Sequence, residues 1–136
     1  MLVEFRTPTA PITIPVLLDS GAERTLVNRE QLEQIGFDPP KNPDPKTDPS
    51  ARRFEGVAGG SVLGYLFDVE LRVVGTGVVH DCQIYGSLEP IRRSVLGRDF
   101  FSRCVVGFHD AGERVYLDSL RNRDVAPIVK VRDTKE

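Results

Sequence analysis

Between Leu2 and Arg6 apolar and polar residues alternate, the period of a strand with one buried face, and Thr7-Pro-Thr-Ala-Pro11 supplies turn residues, so the chain opens as a hairpin. The second arm, Ile12 to Leu18, ends in the apolar run Val16-Leu17-Leu18, which describes a strand buried on both faces, with Pro15 at an edge or bulge. Thr25 to Val27 reads as a brief strand. Asn28 as N-cap, Gln31 at the capping-box position, Leu32 and Ile35 on one face and Gly36 at the end predict a helix of about two turns. From Phe37 to Arg53, Pro39, Pro40, Pro43, Pro45 and Pro49 stand among polar residues, which predicts a long exposed loop inside one domain. Arg52 to Glu55 and Ser61 to Val74 are strand-like around Gly56-Val-Ala-Gly-Gly60, a hairpin with a glycine-rich tip. Val78 to Tyr85 is a further strand, Gly86 to Pro90 a loop, Val95-Leu96 a short strand, and Phe100-Phe101 a short helix after Gly97-Arg98-Asp99. Cys104 to Phe108 and Arg114 to Leu117 form a last hairpin around Asp110-Ala-Gly-Glu113, and Val125 to Val131 could add one more strand. The pattern is mainly β.

Asp19 breaks the apolar pattern. A buried strand should not run straight into a carboxylate, and one followed by a hydroxyl residue and then glycine is held where its surroundings can tune it. Gly21 lets the backbone turn with positive φ or approach a neighbour closely. Asp-Ser-Gly alone also makes ordinary turns. The wider run Val16-Leu-Leu-Asp-Ser-Gly-Ala-Glu-Arg-Thr-Leu-Val27, however, resembles the catalytic segment of the retropepsins, the single-domain aspartic proteases of retroviruses, retrotransposons and some cellular proteins. Arg53 to Ser61 resembles that family's glycine-rich flap, and Ser94-Val-Leu-Gly-Arg-Asp-Phe-Phe101 its hydrophobic-hydrophobic-Gly-Arg-Asp/Asn motif, in matching order and spacing.

The resemblance implies a single-domain retropepsin-like acid protease fold over residues 1–118, closed and barrel-like, with a flap hairpin and one or two short helices, working as a dimer. Aspartic proteases activate water between two carboxylates about 3 Å apart that share one proton. The sequence holds one Asp-Ser/Thr-Gly, so an active enzyme requires a C2 homodimer with Asp19 from each subunit. By the resemblance, Asp19 is catalytic, the Ser20 hydroxyl bonds across the dimer interface, and the Gly21 carbonyl contacts substrate. Gly56, Val57, Ala58, Gly59 and Gly60 form the flap, with Ala58 at the tip where relatives often carry a larger aliphatic residue. Arg98 pairs with Glu23 as a support of the loop. Ala22 has no hydroxyl to stabilise the charged carboxylate, so activity is expected at mildly acidic pH, in contrast to pepsin-like enzymes. The viral relatives carry residues ahead of the strand matching Leu2 to Arg6 that help build the subunit interface; here the tail, residues 119–136, is expected to supply interface strands.

Composition narrows the alternatives. Eighteen basic against 20 acidic residues, a formal charge of −2, make no electrostatic case for nucleic acid or an anionic membrane. Without a membrane-length apolar run or a signal-like N-terminus, the expectation is a soluble cytoplasmic protein. Cys82 and Cys104 are too few for a disulfide framework and read as core residues. With His80 and His109 they assemble a Cys2His2 site only on paper, since neither spacing resembles a common zinc knuckle, so no metal or cofactor is expected. The glycine-rich stretch lacks the Gly-Lys-Ser/Thr ending of a phosphate loop. Ser20 lacks the Gly-x-Ser-x-Gly setting of a serine nucleophile. The partners expected are a polypeptide substrate and a second copy of the chain, and the reading is an aspartic endopeptidase acting on extended peptides. The alternative is a noncatalytic peptide-binding or dimerisation module on the same fold.

Overall fold

The structure, a computed structural model, describes residues 1–57, 60–109 and 114–119. β1 (Leu2–Arg6) and β2 (Pro11–Pro15) form the opening hairpin, with Leu2 opposite Pro15 and Arg6 opposite Pro11. The second arm breaks at Val16, whose N–H donates to the Met1 carbonyl at 2.8 Å, so β3 (Leu17–Leu18) is a separate strand. Pro15 cannot donate into a ladder, and the break follows it. After β4 (Leu26–Val27) come α1 (Arg29–Leu32) and a 3-10 turn over Glu33–Ile35. Asn28 caps α1 through its side chain, which accepts from Glu30 N at 3.1 Å, and Gly36 ends the unit at φ 99°. Gln31 does not complete a capping box; its Oε1 instead accepts from the Ser94 hydroxyl at 3.1 Å.

Residues 37–50 form the expected loop, tied down where the Tyr65 hydroxyl donates to Asp48 Oδ2 at 2.9 Å. There follow β5 (Ala51–Val57), β6 (Gly60–Val73), β7 (Val79–Ser87), β8 (Val95–Leu96), α2 (Arg98–Phe101), and the hairpin of β9 (Cys104–His109) and β10 (Arg114–Ser119). The main sheet runs β2-β1-β6-β7-β4-β8-β3, with β5 also on β6. β6 spends one edge on β7, from Gly64 to Arg72. It shares the other between β5 near its start and β1 near its end. The sheet is thus open among the described residues, with β2 and β3 at its ends, and the closed barrel-like outline expected from the sequence is not formed.

Alternation does place the core. Val3 and Phe5 are fully buried where Leu2 is half exposed, and they meet Leu71, Val73, Ile84, Leu96 and Phe100 in the main cluster. A second, smaller cluster of Leu26, Val62, Tyr85 and Ile91 lies beside β5, with Phe54 packed on it. Cys104 belongs to the main core, its Sγ 3.6 Å from His80 Nε2; Cys82 is partly buried, and burial pushes its thiol from the ordinary 9.0 up to about 12. The remaining member of the paper Cys2His2 set, the His109 side chain, lies outside the described residues. So do Ala58 and Gly59 of the expected flap tip and residues 120–136 of the expected interface tail. No helix among the described residues is long and apolar enough to cross a membrane.

Candidate active site

Asp19 emerges from the terminal strand of the sheet. β3 runs parallel to β8, Leu17 N donating to Ser94 O and Asp19 N to Leu96 O, both at 3.0 Å. With a partner on one edge only, the run is not buried on both faces as its apolarity suggested: Val16 is buried, Leu18 partly so, and Leu17 is 42% exposed. Side chains two apart on a strand share a face, so the Leu17 side chain flanks the Asp19 carboxylate with apolar surface. The carboxylate is itself partly exposed. Its Oδ1 accepts from Gly21 N at 2.9 Å, and Ala22 N closes the turn onto Asp19 O at 3.1 Å. Of the two options for Gly21, close approach is the one used, because its φ is not positive and a Cβ there would meet Asp19 Oδ1 at 3.2 Å. Asp19 Oδ2 and the exposed Ser20 hydroxyl have no hydrogen-bond partner among the described residues. Both are open to solvent.

The loop is held from below by the start of α2. Arg98 N donates to Ala22 O at 2.8 Å and Asp99 N to Glu23 O at 3.2 Å. Gly97 makes that approach possible, since a Cβ on it would lie 2.6 Å from Arg24 O and 2.7 Å from Ala22 O, both rigid backbone. The expected Arg98 to Glu23 ion pair does not form. The Arg98 side chain lies under the loop and its Nη1 donates to the carbonyls of Ser20 and Gly21, at 3.1 and 3.4 Å, while Glu23 turns the other way and pairs with Arg52 of β5 at 2.7 Å. Arg98 therefore supports the loop through its backbone.

Asp99 is the residue that sequence reasoning passed over. The motif that contains it gives it no role of its own, yet its carboxylate gathers four donors: Arg24 Nε at 3.1 Å and Thr25 N at 2.9 Å on Oδ2, and Thr25 Oγ1 and Phe100 N, each at 2.8 Å, on Oδ1. The Thr25 hydroxyl, buried to 1% exposure, also accepts from Gly97 N at 3.2 Å. Its position in the first turn of α2, just after the Gly-Arg that meets the loop, was the available signal. An acid there can bind amides as well as react.

Opposite the loop stands the hairpin of β5 and β6, with a bulge between Glu55 and Val57 and Gly56 at φ 79°. Of the five flap residues expected, Gly56, Val57 and Gly60 lie in this ladder, Val57 facing Gly60 across it. No family model matches the chain, and no curated protein matches it in sequence. Among solved structures it is similar to the EIAV protease in complex with an inhibitor, at 19% identity and a TM-score of 0.45, covering 75% of this chain and 83% of that one. It is also similar to a retropepsin-like aspartic protease from Rickettsia conorii, at 14% identity and a TM-score of 0.49, covering 85% of this chain and 77% of that one. Likenesses this distant leave the chemistry to be read from the chain's own residues.

Proposed function

We propose that the chain is an aspartic endopeptidase that works as a C2 homodimer. The observation that carries this reading is Asp19 itself: a carboxylate fixed by its own turn, at the end of an open-edged strand, with one oxygen unengaged among the described residues and apolar Leu17 alongside. Two such loops brought together across a two-fold axis give a pair of acids that cannot both ionise cheaply, so they share one proton. One acid takes a proton from a water whose oxygen attacks the scissile carbonyl carbon, and the other gives its proton to the carbonyl oxygen. The tetrahedral intermediate then collapses as the amide nitrogen is protonated and the C–N bond breaks. Leu17 offers apolar surface to side chains near the cut, and the β5–β6 hairpin closes over an extended peptide, for which strand-like pairing is the natural mode of recognition.

The test is incubation with a denatured protein mixture between about pH 3 and 7, with and without a statine-type inhibitor, for the parent chain and Asp19→Asn. We expect inhibitor-sensitive cleavage peaking at mildly acidic pH and a drop of at least ~10²-fold in the variant, with sedimentation showing the same dimer for both. A parent chain that binds peptides but cuts none would leave the noncatalytic module as the answer.

A further inference from the structure

Glu23 and Arg24, neighbours in the Asp19 loop, face in different directions, Glu23 toward β5 and Arg24 toward β7, and those two strands' side chains meet in turn. Glu23 Oε1 meets Arg52 Nη2 at 2.7 Å, and the Arg52 guanidinium carbon lies 5.5 Å from the Phe54 ring centroid on the same strand. Phe54 stands edge-on to Tyr85 of β7, centroids 5.0 Å apart at 72°, and the Arg24 guanidinium carbon lies 4.9 Å over the Tyr85 ring. Arg24 is held in turn by Asp99 at 3.1 Å. The contacts form a closed circuit, out from the loop through Glu23 and back to it through Arg24. Its centre depends on Gly64: a Cβ there would sit 2.8 Å from the Phe54 ring and 3.3 Å from Tyr85 Cβ, so only glycine lets the two rings meet across β6.

We propose that this circuit fastens the β5 arm of the hairpin to the loop carrying Asp19, and that Arg52 is the positioning residue that closes it. The inference rests on the reading of the hairpin as the lid of a peptide cleft. Among the described residues β5 has one strand partner, β6, so the arm's lean toward the loop is set by side chains. Arg52 is 36% and Glu23 62% exposed in their side chains, and a pair this open is weak and screened by salt. A weak tie suits the role. The arm can release to admit a peptide and return without a large barrier, and the guanidinium that pairs with Glu23 is also the one that lies over Phe54, which a lysine would not reproduce.

The test uses the full chain in two settings. With Asp19→Asn as parent, so that the protein cannot digest itself, amide hydrogen exchange is followed over residues 51–57 in Arg52→Gln, Arg52→Lys, Glu23→Gln and the double Gln variant. Each single Gln change should speed exchange there about three- to tenfold, Arg52→Lys should do so by less, and the double should go no further than the larger single, because both break one circuit. In the active parent the same changes should raise KM by a similar factor and leave kcat within about twofold, a split that loss of stability alone would not give. Exchange that is unchanged in both single variants, or effects that simply add, would overturn the proposal. The exchange arm gives its answer even if the chain hydrolyses nothing, which separates failure of this tie from failure of the protease reading.

Discussion

The Asp19 loop and the β5 arm face one another, yet they are held by different kinds of force. The loop hangs from backbone hydrogen bonds to Leu96, Arg98 and Asp99 and from a carboxylate with four donors, around a threonine at 1% exposure. The arm has one ladder, a cluster of four buried residues at its side and an exposed ion pair. Directional bonds in a water-poor setting fix a group to fractions of an ångström, whereas apolar contact and a screened pair allow rocking. A carboxylate that must meet its symmetry mate needs the first. A hairpin that must let a peptide in needs the second.

The sharpest way to break this contrast is to strike the loop where it has no room. Gly97→Ala would press a methyl group into the carbonyls of Ala22 and Arg24, and we expect a loss of about 3 kcal/mol in denaturant unfolding together with loss of cleavage. An unchanged midpoint would show that the loop yields easily and is no stiffer than the arm. Next comes Asp99→Asn, which puts an amide donor against donors at one of the two oxygens. A cost of about 2 kcal/mol is expected, against about 1 kcal/mol or less for Glu23→Gln on the arm side, both measured by the same unfolding. Equal costs would erase the distinction between the two regions.

Part of this contrast was legible in the sequence. The alternation of Leu2 to Arg6, the Asn28 cap, the Gly36 stop and the two strands flanking the glycine-rich stretch are local signals, and each fell where expected. Val16-Leu17-Leu18 misled because an apolar residue facing solvent looks the same in sequence as one facing a core. The Arg98 to Glu23 pair failed for a related reason. Several arginines stand near Glu23 in the fold, and which one reaches it depends on the lean of β5, a long-range property that no spacing of 29 residues encodes. Asp99 stayed hidden because an acid whose work is to collect amides carries no mark that separates it from an acid that titrates. Closure of the sheet turned on how β6 divides its edge between β5 and β1, which alternation cannot express.

The smallest effect concerns the base of the arm. Tyr65, opposite Ala51 at the start of β5, donates its hydroxyl to Asp48, and that hydrogen bond, with partial burial and the carboxylate's charge behind it, raises the phenol above its ordinary 10.0. A group that holds its proton more tightly when folded contributes in full below about pH 10 and loses that contribution as pH rises through its folded pKa. The direction is therefore destabilisation on the alkaline side, confined to residues 37–50 and the arm, because the bonds that fix the Asp19 loop come from β8 and α2 and do not involve Tyr65. Phenolate absorbance should show one of the three tyrosines titrating late, and Tyr65→Phe should remove that late step. Amides at 48–52 should exchange faster in the variant while those at 19–25 keep their rate. Equal acceleration in both segments would mean that arm and loop open as one unit, and the two kinds of holding would then have no separate consequence.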